Sequence, residues 1–294
     1  GTVAGGMYNT VYGAGGTTGS GYYTKNHYPY GTIQGGTWNY VYGYGATVGG
    51  GWYSGARSSW GVTAGGWYCN GYAYDSIAGG HYNWAYSSYQ TIGGGSYNYI
   101  YTSYNTVAGG HNHYVYGYAG TLAGGMYNSV YGSYASVGGG WYNRAMAHMG
   151  TVGGGWQVNN YGYRGTVVGG TWQYLYSPYT TIGGGHNAFI YAYAGYIGGG
   201  MYNYVYASYG SITGGWYNQA NGVWSTVGGG GGNTVYYPYA TTSGGWYNYI
   251  YAYSAAIVGG SGNYAYSSWG FVGGGVANKV YFAQSTVVGG YANV

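Results

Sequence analysis

Thr91-Ile-Gly-Gly-Gly-Ser-Tyr-Asn-Tyr-Ile-Tyr-Thr-Ser-Tyr-Asn105 is one copy of a fifteen-residue unit that recurs from Thr2 to the C-terminus. Aligned on the Gly-Gly pair, copies begin at Thr2, Thr17, Thr32 and onward to Thr286, and every spacing is fifteen except that of the unit at Val62, which has fourteen residues. The missing residue falls near Ala73 to Asp75, where a turn can absorb it. The average unit reads Thr, Val/Ile, small, Gly, Gly, aromatic, Tyr, Asn, variable, Val/Ala/Ile, Tyr, small, variable, Tyr, small. A short fixed period of this persistence is the mark of a solenoid, in which a repeat buries its apolar face only by stacking on its neighbours. Residues 1–294 therefore read as a single array of about twenty coils, slightly irregular at 17–31 and 62–75.

Glycine excludes helix. It supplies 71 of the 294 residues, and each would cost a helix interior about 0.5–1 kcal/mol relative to Ala. Two strand-like segments fit each unit, as in Tyr97-Asn98-Tyr99-Ile100-Tyr101 and Asn105-Thr106-Val107, both with a period of two. Alternation puts Asn98 and Ile100 on one face and the three tyrosines on the other, and a narrow coil has room inside only for the smaller set. The expected fold is all-β, a parallel β-solenoid with Val, Ile, Ala and Asn inside and Tyr outside. Variable ninth positions such as Ser129 are expected to face outward, towards solvent or a partner. At about 4.8 Å per coil the array would make a rod of roughly 95 Å.

The fifth position of the unit is Gly in every copy, and the fourth is Gly in all but the unit with Ser20. Only a demand of the backbone explains such invariance, so the pair is expected to form a tight corner between the strands. Gly6, Gly36, Gly66, Gly95, Gly125, Gly155, Gly185, Gly215, Gly245 and Gly275 are the candidate corner residues. Tyr12, Tyr42, Tyr72, Tyr86, Tyr101, Tyr116 and Tyr131 share one position and are expected to stack as a ladder, at about 0.2–1 kcal/mol per cross-strand pair. Asn9, Asn39, Asn98, Asn128, Asn203, Asn248 and their equivalents form a second ladder, whose amides can bond coil to coil.

Composition removes several function classes. Charged residues are only Lys25, Arg57, Arg144, Arg164, Lys279 and Asp75, so no basic stripe exists of the kind that neutralises phosphates, and nucleic acid is not an expected partner. Cys69 is the only cysteine, which leaves no intrachain disulfide. No run of eighteen apolar residues occurs, so no transmembrane segment is expected. The chain carries no initiator Met and no signal peptide, and it starts and stops inside the periodic pattern, with Gly1 at the last position of a unit and Val294 at the ninth. The expectation is a processed chain or an excerpt, with ends that continue or are covered by other chains.

Catalysis by paired carboxylates or a triad usually draws on Asp or Glu, and only Asp75 is present. His81 with Asp75 is the one imaginable hydrolytic pair, but ordinary repeat substitution explains both, and no catalytic residue is assigned. His81, His111 and His186 share a repeat position, while His111 and His113 alternate along one strand. His81 and His111 would lie two coils apart, about 9.6 Å, too far for a single ion. Neither a metal nor a cofactor is expected. The glycine runs lack the Gly-Lys-Ser/Thr of a phosphate loop. Trp52, Trp67, Trp141, Trp156, Trp216 and Trp246 all follow a Gly-Gly pair directly and form a candidate contact edge, suited to stacking on sugar rings or on another copy of the chain.

The unit Thr121-Leu-Ala-Gly-Gly-Met-Tyr-Asn-Ser-Val-Tyr-Gly-Ser-Tyr-Ala135 resembles the short head repeats of trimeric autotransporter adhesins, the YadA-like β-roll. The resemblance implies an outer-surface adhesive function, although those repeats are usually about fourteen residues and richer in Ala and Ser. The preferred function is a non-enzymatic extracellular or cell-surface structural protein, associating with itself through Tyr/Trp-rich faces into a filament, sheath or surface layer. A glycan-binding adhesin is the alternative. Ice binding ranks lower, because each coil offers one Thr rather than a Thr-x-Thr pair.

Overall fold

The computed structural model describes all residues, 1–294, as strands, bridges and turns without any helix. Contacts group them into two compact units, Gly1–His148 and Met149–Val294. Each is a parallel β-solenoid with a fifteen-residue step.

In the first unit the turn that starts at Thr91 shows the construction. It has two short strands, Thr91–Ile92 and Tyr99–Ile100. They pair in register with Thr106–Val107 and Tyr114–Val115 of the next turn. A third column is a one-residue bridge at the sixth position, Ser96 to His111. Ile92, Ile100, Val107 and Val115 are fully buried, and the core is the stack of such residues. Near the N-terminus the first strands are longer, Thr2–Met7, Thr17–Tyr22 and Thr32–Thr37, and the Gly-rich segment itself joins the ladder. The second unit repeats the plan, with Thr181–Ile182 and Phe189–Ile190 pairing to Tyr196–Ile197 and Tyr204–Val205.

The longer strand anticipated at Tyr97–Tyr101 is cut to two residues. Tyr97 is left-handed, with φ of 58°, which breaks the pleat, and Asn105 likewise stays outside its strand. Alternate N–H groups of a parallel ladder point to opposite neighbours. Tyr99 N donates forward to His113 O and Tyr101 N to Val115 O, whereas Tyr97 N donates back to His81 O and so completes the sixth-position bridge, and Tyr104, with φ of 64°, donates back to Ser88 O.

All the left-handed non-glycine residues, 35 of them, fall at the seventh and fourteenth positions, and most are Tyr or Trp. Such a residue costs roughly 1–2 kcal/mol, whereas an aromatic pair returns about 0.5–1.5 kcal/mol. Tyr53, Tyr68, Tyr82 and Tyr97 stack at centroid spacings of 4.9, 4.8 and 5.1 Å, so strain and stacking are of similar size and largely offset one another.

Ser129 corrects another expectation. It lies between Tyr114 and Arg144 of the adjoining turns and is only 6% exposed. A small residue in a column of large ones is covered by its neighbours.

The shortened unit loses its twelfth position. Tyr72 N donates to Ala85 O and Tyr74 N to Ser59 O, which keeps Tyr72 at the eleventh position and Tyr74 at the fourteenth, with Ala73 alone between them. In ordinary turns the N–H at position fifteen closes this corner on the carbonyl at position twelve, as Ala46 N does on Gly43 O. Here the carboxylate of Asp75 closes it instead, accepting from Tyr72 N at 2.9 Å in its own turn and from Gln90 N at 2.9 Å in the next. The one acidic residue of the chain sits at the one deletion.

Candidate functional site

The surface divides by position. Outward residues of the first strand are small, with Thr91, Thr106 and Thr121 exposed. The second strand and the corners flanking it carry the rings. Tyr86, Tyr101, Tyr116 and Tyr131 stack face to face at 5.0, 4.5 and 4.9 Å and remain 37–42% exposed. Their column starts with Tyr12, His27 and Tyr42, stacked at 5.1 and 4.4 Å, and Arg57 then takes a rung. Its guanidinium lies 5.5 Å from the centroids of both Tyr40 and Trp84 and 5.9 Å from that of Tyr72, and it donates to Tyr40 Oη at 3.0 Å. A cation among ring faces is a favourable substitute for a ring. In the second unit the same column holds Tyr161, Tyr176, Tyr191 and Tyr206 at 5.4, 5.0 and 5.3 Å.

The six candidate edge tryptophans are exposed by 38–52% and occupy the sixth-position column of their units. They do not form an unbroken edge. Trp52 and Trp67 stack at 5.3 Å with planes 3° apart, but His81, Ser96, His111 and Met126 then intervene before Trp141. In the second unit Thr171, His186 and Met201 separate Trp156 from Trp216. Trp216 and Trp246 reach each other, tilted, at 6.3 Å across Gly231.

The ten candidate corner glycines all have φ between 83° and 111°. Around them the asparagine ladder works as a clamp. Asn128 Nδ2 donates to Gly124 O at 2.8 Å in its own turn and to Gly140 O at 2.9 Å in the next, while its Oδ1 accepts from Asn143 N at 2.8 Å. The fully buried amide satisfies backbone groups of two successive glycine corners.

Asp75 and His81 form no catalytic pair, since both carboxylate oxygens are held by the backbone while His81 packs edge-on to Trp67 at 4.8 Å and Tyr82 at 4.7 Å. His111 and His113 do not share a strand: left-handed Asn112 separates them, leaving His111 outside, with its Nδ1 and Ser96 Oγ hydrogen-bonded at 2.7 Å, and His113 buried in the asparagine column. No group of three or more His, Cys, Asp or Glu side chains is placed to hold a metal ion, and no helix is long and apolar enough to cross a membrane.

Two buried groups titrate abnormally. Burial pushes the Asp75 carboxyl up to about 7, against the pull of its two N–H donors. Burial likewise pushes the His113 imidazole down to about 4. The signs oppose each other. Folded Asp75 binds more protons than the unfolded chain, so its contribution is full below pH 4 and is lost as pH rises to 7. Folded His113 binds fewer, so its contribution is full above pH 6.5 and is lost as pH falls towards 4. His113→Asn is expected to leave a melting temperature that falls steadily from pH 4 to 7, and Asp75→Asn one that rises from pH 4 to 6.5. Two parallel profiles would show that these groups do not titrate as placed.

The column of left-handed aromatics went unread in the sequence, although a signal was there. Positions seven and fourteen contain no Val, Ile or Thr in any copy, and Asn112, Asn187, Gly232, Gly15 and Gly45 occur among them. Absence of β-branched residues together with Gly and Asn is what positive φ selects.

No family model matches the chain, and no curated protein does. The reading of function therefore rests on the site.

Proposed function

We propose that the protein is a non-enzymatic structural protein that works outside the cell and associates with copies of itself through its Tyr/Trp-rich outer columns into a filament, sheath or surface layer. The observation that carries this reading is the stacked tyrosine column beside the second strand, whose rings stay 37–42% exposed. Exposed apolar area concentrated on one face, rather than scattered, is what contact surfaces present, and stacked rings offer it at low entropic cost because they are already ordered. Near-absence of charge adds to the case, since a few scattered cations leave little on the face to repel a second copy. The YadA-like resemblance supports a second reading, a surface adhesin, and the notch described below favours it locally.

Sedimentation and negative-stain microscopy of the full chain test the first reading. Concentration-dependent assemblies are expected, weakened when Tyr86, Tyr101, Tyr116 and Tyr131 are all changed to Thr. Strictly monomeric behaviour at every concentration would count against it.

A further inference from the structure

In the second unit the turn at Thr226 lacks the rings of three neighbouring columns at once. The turn that starts at Thr226 has Gly231 and Gly232 at its sixth and seventh positions, where Trp216-Tyr217 and Trp246-Tyr247 stand in the turns on either side, and Thr234 at the ninth, beside Gln219 and Tyr249. The missing rings leave a notch of about 430 Å³ lined by Trp216, Tyr217, Gln219, Thr234, Tyr236 and Tyr247, among others.

We propose that this notch is a binding site for a neutral saccharide, taking one pyranose ring of a β-linked, gluco-configured chain. Tyr217 and Tyr247 both line the notch and give one flat ring an aromatic wall to stack on. Trp246 and Tyr247 lean over the glycines, since a Cβ on Gly231 or Gly232 would meet their rings at 2.5 Å, and they overhang the opening. The floor is polar. Gln219 Oε1 accepts only a long 3.4 Å bond from Asn221 Nδ2 and its Nε2 makes no hydrogen bond, and Thr234 adds a hydroxyl. An amide and a hydroxyl beside aromatic walls match a ring with apolar C–H faces and hydroxyls at its rim. No charged residue lines the notch, which selects against uronic or sialic acids. Stacking on an aromatic wall selects all-equatorial rings, whose axial hydrogens leave the face flat. The volume exceeds one ring and the notch is open to solvent, so an internal residue of a chain can enter. This assignment does not depend on self-association.

Titration calorimetry of the full chain with cellotetraose is the test. Saturable binding near about 1 mM is expected, with β-1,4-mannotetraose, which has an axial hydroxyl, weaker. Gly232→Tyr restores the repeat, since neighbouring turns hold Tyr at this left-handed position, and with the Tyr247 ring swung back off Gly232 into the usual stack it should fold normally while weakening cellotetraose by about tenfold or more. Asn187→Tyr, the same change of column three turns away, should leave binding unaltered. Absence of cellotetraose binding by the parent chain, or equal binding by Gly232→Tyr, overturns the proposal. A Gly232→Tyr chain that loses self-association but keeps its sugar affinity would place an aromatic side chain of a second copy in the notch, and also overturns it.

Discussion

Gly125→Val is expected to destabilise the first unit by about 3–5 kcal/mol, combining the strain of a disfavoured backbone with overpacking of a closed corner. The φ of 89° at Gly125 is open to glycine and closed to a β-branched residue. A Cβ there would also overlap the Gly140 carbonyl oxygen of the next turn and the Asn128 amide, and neither can retreat, because the clamp holds both. Ala123→Val is the control: Ala123 is exposed, two residues away on the same turn, and Val there should change stability by less than about 0.5 kcal/mol. Urea unfolding followed by circular dichroism separates the two. Coincident midpoints would rule out the corner.

The second large effect concerns the clamp. Asn128→Ala removes the Asn128 partner of Gly124 O and of Asn143 N, while Gly140 O keeps Met126 N. Backbone groups that lose a partner away from water cost about 1–3 kcal/mol each, and with partial rescue by water the expected loss is about 1–4 kcal/mol. Loss of fold is not expected, because Val158 and Ala188 occupy the same column and are buried there without an amide. Gln173 gives the reciprocal experiment. It is fully buried in that column, and neither its Oε1 nor its Nε2 finds a hydrogen-bond partner, whereas the shorter Asn amide pairs there in the other turns. Gln173→Asn should therefore stabilise the second unit, by about 1–2 kcal/mol. If Asn128→Ala leaves the midpoint unchanged, or Gln173→Asn lowers it, the amides do not carry the load assigned to them.

Period, parallel stacking and the inward set of Ile100, Val107 and Asn98 were legible in the sequence, because the alternation of small apolar and large aromatic residues leaves a narrow coil only one way to fill itself. Strand length was not. Tyr97 reads as strand by propensity, but its left-handed φ makes the corner between the sixth-position bridge and the second strand, a tertiary demand that propensity does not encode. Burial at Ser129 was likewise hidden, since it depends on what stands in the turns before and after. The tryptophans were legible as a set but not as neighbours, because register decides which of them meet. The notch at Gly231-Gly232 was concealed by the very repetition that revealed the fold: in a chain this rich in glycine, two more attract no notice until the rings around them are in place.

Asp75 has a consequence for how such a chain can change over generations. Backbone bonds in each unit reach only to the adjoining turn, and side-chain bonds nearly always do, Tyr40 Oη to Asn70 Oδ1 being an exception, so duplication or loss of one whole repeat leaves most surviving residues in the surroundings they had before. Length is then nearly free to drift. Loss of a single residue is a different event, since it opens a corner whose closing N–H and carbonyl no longer meet. At Tyr72 to Asp75 that lesion is bridged by a side chain long enough to reach one N–H in its own turn and one in the next. The acid reads as a repair, and the rarity of charge elsewhere in the chain is what makes the scar visible.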